Sequence, residues 1–493
     1  MNKLNIRIGT LTLVFALLLV SCGGSGGGTS TPPAPTVSSS SPADNAAGVA
    51  TNTVITATFS KAMDASTITS STFTLTINPP GSGTVSYNSA TNTASFTPDA
   101  DLEEITLYTA TITTGVSDLA GNTLASDYVW HFTTESSIGS AVQLPETGQV
   151  TCYDDSGTTI TCTDTGQDGD TLSGISWPMP RFTDNGDGTV TDTLTGLTWL
   201  KNADCFGGNI WTLALSDANS LASGSCGLSD GSKAGDWRLP NINELESLVN
   251  TEEVNNATWL VGQGFTDVQA VTYWSSTTYT IDTSGAWRAD MDGGRIAAGI
   301  KDCGICNVWP VRAKSTPPAQ LWKTGQTSCY NEPGFTISCT GTGQDGEIQT
   351  GVAWPSPRFL DNLDGTVTDK LTGLVWTGDA NAPDPGGCTS DKLMLWQDAL
   401  NYVVCLNSKT YLGYNDWRLP NRKELHSLTD FSQSGPALQS GHPFTNVQSH
   451  YWSSSTSASS TTEAWYVSMT SGYVIADEPK TNFNSVWAVR AGQ

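Results

Sequence analysis

The residues of this chain whose types and spacing could do chemistry are its cysteines, a set of repeated carboxylates, its tryptophans and an Arg/Glu pair that occurs twice. Setting Cys22 apart, the other cysteines fall in close pairs: Cys152/Cys162, Cys205/Cys226, Cys303/Cys306, Cys329/Cys339 and Cys388/Cys405. Such pairing predicts a disulfide framework made in an oxidising compartment. Cys303-Gly-Ile-Cys306 also has the spacing of a redox or zinc motif. A thioredoxin-like site needs a βαβ context that is missing, and a structural zinc needs two more ligands, whereas His131, His426, His442 and His450 lie in other domains. A local loop disulfide is the expectation there. Asp184, Asp187 and Asp192, repeated as Asp361, Asp364 and Asp369, invite a calcium reading. The EF-hand spacing fails because Thr183 or Leu360 would take the first position and the closing Glu is absent, so these carboxylates read as turn residues and no cofactor, calcium included, is assigned. Of the 17 tryptophans, Trp274, Trp287, Trp452 and Trp465 have Ser, Thr and Tyr neighbours and are the candidate sugar-stacking platforms. No Gly-x-Ser-x-Gly, His-Glu-x-x-His or phosphate loop occurs, so no enzyme activity is expected.

These residues are positioned by elements that the chain spells twice. Asp-Trp-Arg-Leu-Pro-Asn followed two residues later by Glu-Leu runs from Asp236 to Leu245 and again from Asp416 to Leu425. Asn241 and Asn421 are good N-caps, Glu244 and Glu424 stand at the capping-box position, and Arg238 and Arg418 are their structural neighbours. A wider duplication carries Thr147 through Phe182 onto Thr324 through Phe359, and Trp199 onto Trp376. It defines copies near 141–313 and 319–493. Each predicts a small meander (Arg181-Phe182-Thr183, Thr189-Val190-Thr191, Leu197-Thr198-Trp199), then a helix with Trp211, Leu215, Ala218 and Leu221 on one face, or Trp396, Ala399, Leu400 and Val403. The capped helix follows. Strands at Tyr273-Trp274-Ser275-Ser276, Ala286-Trp287 and Trp309-Pro310-Val311-Arg312, with their counterparts, complete an α+β repeat domain stabilised by disulfides.

Charge and composition exclude some partners. Lys+Arg number 22 against 47 Asp+Glu, a formal net charge of −25, so nucleic acid is not an expected partner. Residues 1–21 read as a signal peptide, with Lys3 and Arg7 before an apolar run too short to span a bilayer comfortably. Leu19-Val20-Ser21-Cys22 resembles the bacterial lipobox, which implies lipidation of Cys22, a membrane anchor, and an outer-membrane location facing away from the cytoplasm. Residues 22–36 are Gly-, Ser- and Pro-rich and read as a tether. Residues 37–135 alternate Thr, Val and Ile between turn signals and predict an all-β sandwich. Ser41-Pro42-Ala43-Asp44, Phe59-Ser60-Lys61-Ala62-Met63-Asp64, Asp118-Leu119-Ala120-Gly121-Asn122 and Trp130-His131-Phe132-Thr133-Thr134 resemble the SbsA-type bacterial Ig-like domain, which implies a spacer.

The series Asp-Gly-Thr-Val-Thr-Asp, Thr-Gly-Leu-x-Trp, Asp-Trp-Arg-Leu-Pro-Asn, Tyr-Trp-Ser-Ser and Val-Arg, complete in both copies, resembles the Lcl C-terminal domain family. Its Trp-Arg-Leu-Pro element is also similar to C-type-lectin-like and formylglycine-generating-enzyme-like folds. The family takes its name from a collagen-like adhesin that binds sulfated glycosaminoglycans, which implies adhesion. This chain lacks the basic surface such a polyanion needs. The expected function is therefore a surface-anchored adhesin or ligand-binding module for a surface glycan or host matrix. The alternative is a non-catalytic structural protein contacting other envelope proteins.

Overall fold

The computed structural model describes residues 33–492 apart from 45, 50, 77–81, 101, 103–105, 135–141, 314–317 and 389–391. The expected signal peptide, Cys22 and most of the tether lie outside the described residues. Among those described, no helix is long and apolar enough to cross a membrane. The chain divides into two units at Glu135/Ser136.

Alternation builds the first unit. In Ile55–Phe59, Ile55, Ala57 and Phe59 are buried while the intervening threonines are half-buried, the period-two pattern of a strand with one face on a core. Two four-stranded sheets result. One has the order Val37–Ser41, Ile55–Phe59, Thr93–Pro98, Gly83–Asn88; the other Ala46–Val49, Tyr128–Thr134, Leu107–Ile112, Phe73–Thr76. Phe73 contacts both Phe96 and Trp130 between them.

The second unit holds both copies. Its α-helices, among the described residues, are α1 (Asp168–Thr171), α2 (Trp211–Ser220), α3 (Ile242–Ser247), α4 (Asn256–Gly262), α5 (Asp345–Ile348), α6 (Trp396–Ser408) and α7 (Arg422–Ser427). Each copy forms the expected meander, closed by a fourth strand from its C-terminal end: Val311–Ala313 beside Leu197–Leu200, and Val489–Arg490 beside Val375–Thr377. The predicted caps are present. Asn241 and Asn421 accept from the N–H groups of Glu244 and Glu424, whose carboxylates accept in return from the cap N–H groups.

The copies do not stand as separate bodies. Five strands from each meet in one ten-stranded sheet whose order is mirrored about its centre: Gly208–Asn209, Cys306–Asn307, Thr272–Thr278, Gly285–Asp290 and Ile296–Ile300, then Val474–Pro479, Glu463–Ser468, His450–Thr456, Asn484–Ser485 and Leu393–Met394. The join is the antiparallel pairing of Ile296 with Val474. Antiparallel pairing of equivalent edge strands is the signature of a two-fold relation.

The N-terminal segment of each copy docks on the other copy. Gln149 donates its amide to the Thr456 carbonyl at 2.8 Å and accepts from the Thr456 N–H at 2.8 Å. Gln326 does the same to Thr278, accepting at 2.9 Å. Gly148 and Gly325, at φ +90 and +93, precede these glutamines, and a Cβ there would fall 2.3 Å from Asn250 Oδ1 and 2.2 Å from Asp430 Oδ1. Only glycine allows that approach. Asp168 accepts from the Thr147 hydroxyl at 2.7 Å and from Ser455 of the other copy. Asp345 accepts from Thr324 at 2.6 Å and from Thr277 of the other copy at 2.7 Å.

These two aspartates give the junction a pH dependence. Burial, partly offset by the hydroxyl donors, pushes both carboxyls up to about 6 from the ordinary 3.8. The folded unit therefore favours the neutral acid: their contribution is fully present below about pH 4 and is lost as pH rises through about 6, on the order of 3 kcal/mol each. His426, lowered by burial to about 4, acts oppositely, since its contribution is lost as pH falls from about 6.5 toward 4. The double variant Asp168→Asn/Asp345→Asn keeps the histidine and removes the aspartates' titration. Its urea stability should therefore exceed the wild type's increasingly as pH rises from 4 to 7. Parallel pH curves would refute the assignment.

Candidate functional site

The four tryptophans expected to stack on sugars are core residues, which corrects the sequence reading. Trp274 and Trp452 are 0% exposed, Trp287 1% and Trp465 2%. Their Ser, Thr and Tyr neighbours serve packing and strand pairing. Trp274 donates its indole N–H to the Asn209 carbonyl at 2.8 Å, and Trp452 to the Met394 carbonyl at 2.9 Å, so each ties the large sheet to the chain entering α2 or α6. Trp287 lies among Tyr279, Phe431 and Tyr473, and Trp465 lies under the Arg422 guanidinium at 3.7 Å. None offers a face to solvent.

The carboxylates have structural partners. Asp187 accepts from the Thr189 N–H and hydroxyl, and Asp364 does the same for Thr366. Asp184 takes Lys201 at 2.6 Å. Asp192 receives a two-point hydrogen bond from Arg181, whose Nη2 also donates to the Ser247 carbonyl at the end of α3 at 2.6 Å. Asp369, Arg358 and Ser427 repeat this. Among the described residues no group of three or more His, Cys, Asp or Glu is placed to hold a metal ion. Arg238 and Arg418 pair with Glu244 and Glu424, both through two nitrogens, at 2.6 Å and 2.5 Å. Acid and base occupy each other there.

Four disulfides join Cys152–Cys162, Cys205–Cys226, Cys329–Cys339 and Cys388–Cys405. The loop disulfide expected at Cys303 and Cys306 is not formed. The two are thiols with Sγ atoms 3.8 Å apart, and the Cys306 sulfur instead accepts from Arg288 at 3.3 Å and lies 3.2 Å from the Thr272 hydroxyl.

Among the described residues a groove of about 940 Å³ lies between α2 of copy 1 and the N-terminal segment of copy 2. Thr212, Leu215, Ser216, Asn219 and Ser220 form one wall; Tyr330, Asn331, Glu332, Pro333, Ile337, Gly341 to Gln344, and Glu347 and Ile348 of α5 form the other. The second wall is built by local hydrogen bonds. The Cys329–Cys339 disulfide closes its hairpin, Gln344 pairs with the N–H and C=O of Tyr330 at 2.9 Å each, and Glu347 collects the N–H groups of Gly341 and Gly343. Lys301 lies behind the groove with its ammonium 4.2 Å from the Trp211 ring and bonded to the Thr283 carbonyl at 2.9 Å. Burial lowers it to about 8. Lys480 repeats this against Trp396 and the Asp154 carbonyl, also at about 8. The groove thus presents hydroxyls, amides, a phenol and the Glu332 carboxylate, with its lysine turned to the backbone. Such groups bind an uncharged or amine-bearing polyhydroxy ligand by hydrogen bonding. Sequence reasoning missed this site because each wall comes from a different copy; the recurring Gly-Gln-Asp-Gly at the start of α1 and α5 was the available signal.

The tryptophan reassignment is testable. Trp452→Ala should lower the unit's stability by about 3–5 kcal/mol, the usual cost of emptying a buried aromatic site. A variant with wild-type urea stability would put the ring back at the surface.

The family model for the Lcl C-terminal domain matches residues 188–312 and again 365–490, and the bacterial Ig-like domain model matches 31–134. No curated protein matches the chain. Among solved structures, it is similar to selenomethionine PcoC, a copper resistance protein from Escherichia coli, at 15% identity over 20% of this chain and 99% of that one, with a TM-score of 0.17. It is likewise similar to the N-terminal part of the bacterial S-layer protein SbsC, at 22% identity over 26% of this chain and 33% of that one, with a TM-score of 0.17. It is similar to E. coli alpha-2-macroglobulin at 18% identity over 23% of this chain and 7% of that one, with a TM-score of 0.17. The two domain types are those of cell-envelope proteins. With its two matches together spanning just over half of the sequence, the chain belongs to the Lcl C-terminal domain family and carries two copies of that domain behind a bacterial Ig-like domain.

Proposed function

We propose that this envelope protein is a lipid-anchored, non-catalytic binding module. Cys22 carries the anchor at the outer membrane, the Ig-like domain acts as spacer, and the paired Lcl domains hold a surface glycan or matrix ligand. The observation that carries this reading is the groove between α2 and the Tyr330–Ile348 segment. Its volume of about 940 Å³ is in the range of small-molecule sites, and its polar groups converge from both copies. A formal charge of −25 argues against a sulfated polyanion as ligand and in favour of a neutral or amine-bearing saccharide. Tyr330 supplies a ring edge and face for a sugar, with Asn219, Ser216 and Glu332 as hydrogen-bonding partners.

A glycan array with the mature chain, run with calcium and with chelator, tests this. Saturable binding that Tyr330→Ala weakens by about 3- to 10-fold, the scale of one aromatic contact, while the melting temperature holds, is the expected result. Absence of binding to any glycan would shift the protein to the structural envelope role, to be pursued by capture of envelope proteins.

A further inference from the structure

Helices α3 and α7 occupy equivalent positions and share the cap and the Leu245/Leu425 core residue, yet they differ where they approach each other. Ile242, Asn243 and Glu246 in α3 are replaced by Arg422, Lys423 and His426 in α7. All six are buried, with Arg422 0%, Lys423 2%, His426 1% and Glu246 4% exposed. Glu246 is the acid common to the three bases: Arg422 Nη2 is 3.6 Å from its Oε1, and Lys423 Nζ is 3.6 Å from its Oε2, while Asp168 of copy 1 also acts on Arg422. The rest of the cluster is also held from across the junction or by aromatic rings. Arg422 donates to the Gly294 carbonyl of copy 1 at 2.9 Å, and His426 packs edge-on against Trp322 and Phe431. Arg181 of copy 1, the other nearby cation, is engaged by Asp192. Burial lowers Arg422 to about 10 and Lys423 to about 8, with Glu246 opposing the shift.

Several other junction contacts are the same in both directions. Gln149 and Gln326, Asp168 and Asp345, and the Ile296–Val474 pairing would form equally well between two copies of one kind. They supply affinity without choice. We propose that the Glu246 carboxylate facing Arg422, Lys423 and His426 makes the pairing heterotypic, so that copy 2 accepts copy 1 and rejects another copy 2. A pair of first copies would bury two Glu246 carboxylates with no base. A pair of second copies would bury the arginine, lysine and histidine twice over with no counterpart of Glu246. Buried charge without a partner is among the costlier errors an interface can contain, and mismatch of this kind is how related surfaces exclude one another. The tandem unit is then a closed internal heterodimer, and this face is not available for joining one protein molecule to the next.

The test uses the whole chain with a protease site replacing residues 314–317. Once cut, the halves should remain a 1:1 complex by native mass spectrometry; halves that separate would overturn the proposal. Isotopically heavy and light cut proteins, mixed, dissociated in urea and reassociated, should return only pairs of copy 1 with copy 2. Copy 1 pairs and copy 2 pairs in statistical proportion would equally overturn it. In the uncut chain, Glu246→Lys should lower the melting temperature by several degrees, and Glu246→Lys/Lys423→Glu should recover at least half of the loss. Losses that simply add would show that the two side chains do not recognise one another.

Discussion

The C-terminal unit depends on a side-chain amide that reads a neighbouring backbone as a strand would. Gln149 on Thr456, and Gln326 on Thr278, each satisfy one N–H and one C=O inside the protein. Those backbone groups follow the positions where the Thr272–Thr278 and His450–Thr456 strands depart from regular register. A buried backbone group left unpaired costs about 1–3 kcal/mol, so each copy needs the other's glutamine to complete its central strand. The requirement explains why the glutamine follows a glycine that can pass close to Asn250 or Asp430, and why an aspartate beside it bonds hydroxyls from both copies.

From that exchange the candidate site follows. The wall that carries Tyr330 and Glu332 belongs to copy 2, yet it is held against α2 of copy 1, with Lys301 of copy 1 reaching the carbonyls of the same segment. The disulfides play a local part only, closing separations of 10, 21, 10 and 17 residues. They stiffen the hairpins and the approach to the helices, while non-covalent contacts hold the copies together.

What was legible in the sequence was what physics confines to a few neighbouring residues. Asn241 and Glu244 are three apart, so their reciprocal cap can be read directly, and so can the Asp187-Gly188-Thr189 turn and the alternation of Ile55 to Phe59. Burial of the tryptophans was legible only in part: recurrence at matched positions implied a core, but a Ser- and Tyr-rich neighbourhood suits a binding face and a close-packed strand alike, and Trp274 and Trp452 proved to be the latter. The Cys303/Cys306 spacing permitted a disulfide, but a donor on another strand, Arg288, engages the Cys306 sulfur instead. The exchange itself was beyond reach. Gln149 and Thr456 are 307 residues apart, and no spacing rule connects them, although the identical Thr-Gly-Gln stretches at Thr147 and Thr324 hinted that both segments do the same work.

The crossed docking also decides where mechanical strain would go. The chain enters the unit at Val142, whose N–H is bonded to Leu371 of copy 2 at 2.9 Å, and within a few residues Gln149 is bonded to Thr456. A pull arriving from the Ig-like side would therefore reach the second copy before it reached the meander of the first. The force would be shared between the two, and the linker of residues 314–317 would be spared most of it. Tension arriving there would have to break the Val142 and Gln149 contacts with copy 2 before it could peel copy 1 from its N-terminal end, in a unit whose described disulfides all lie within one copy.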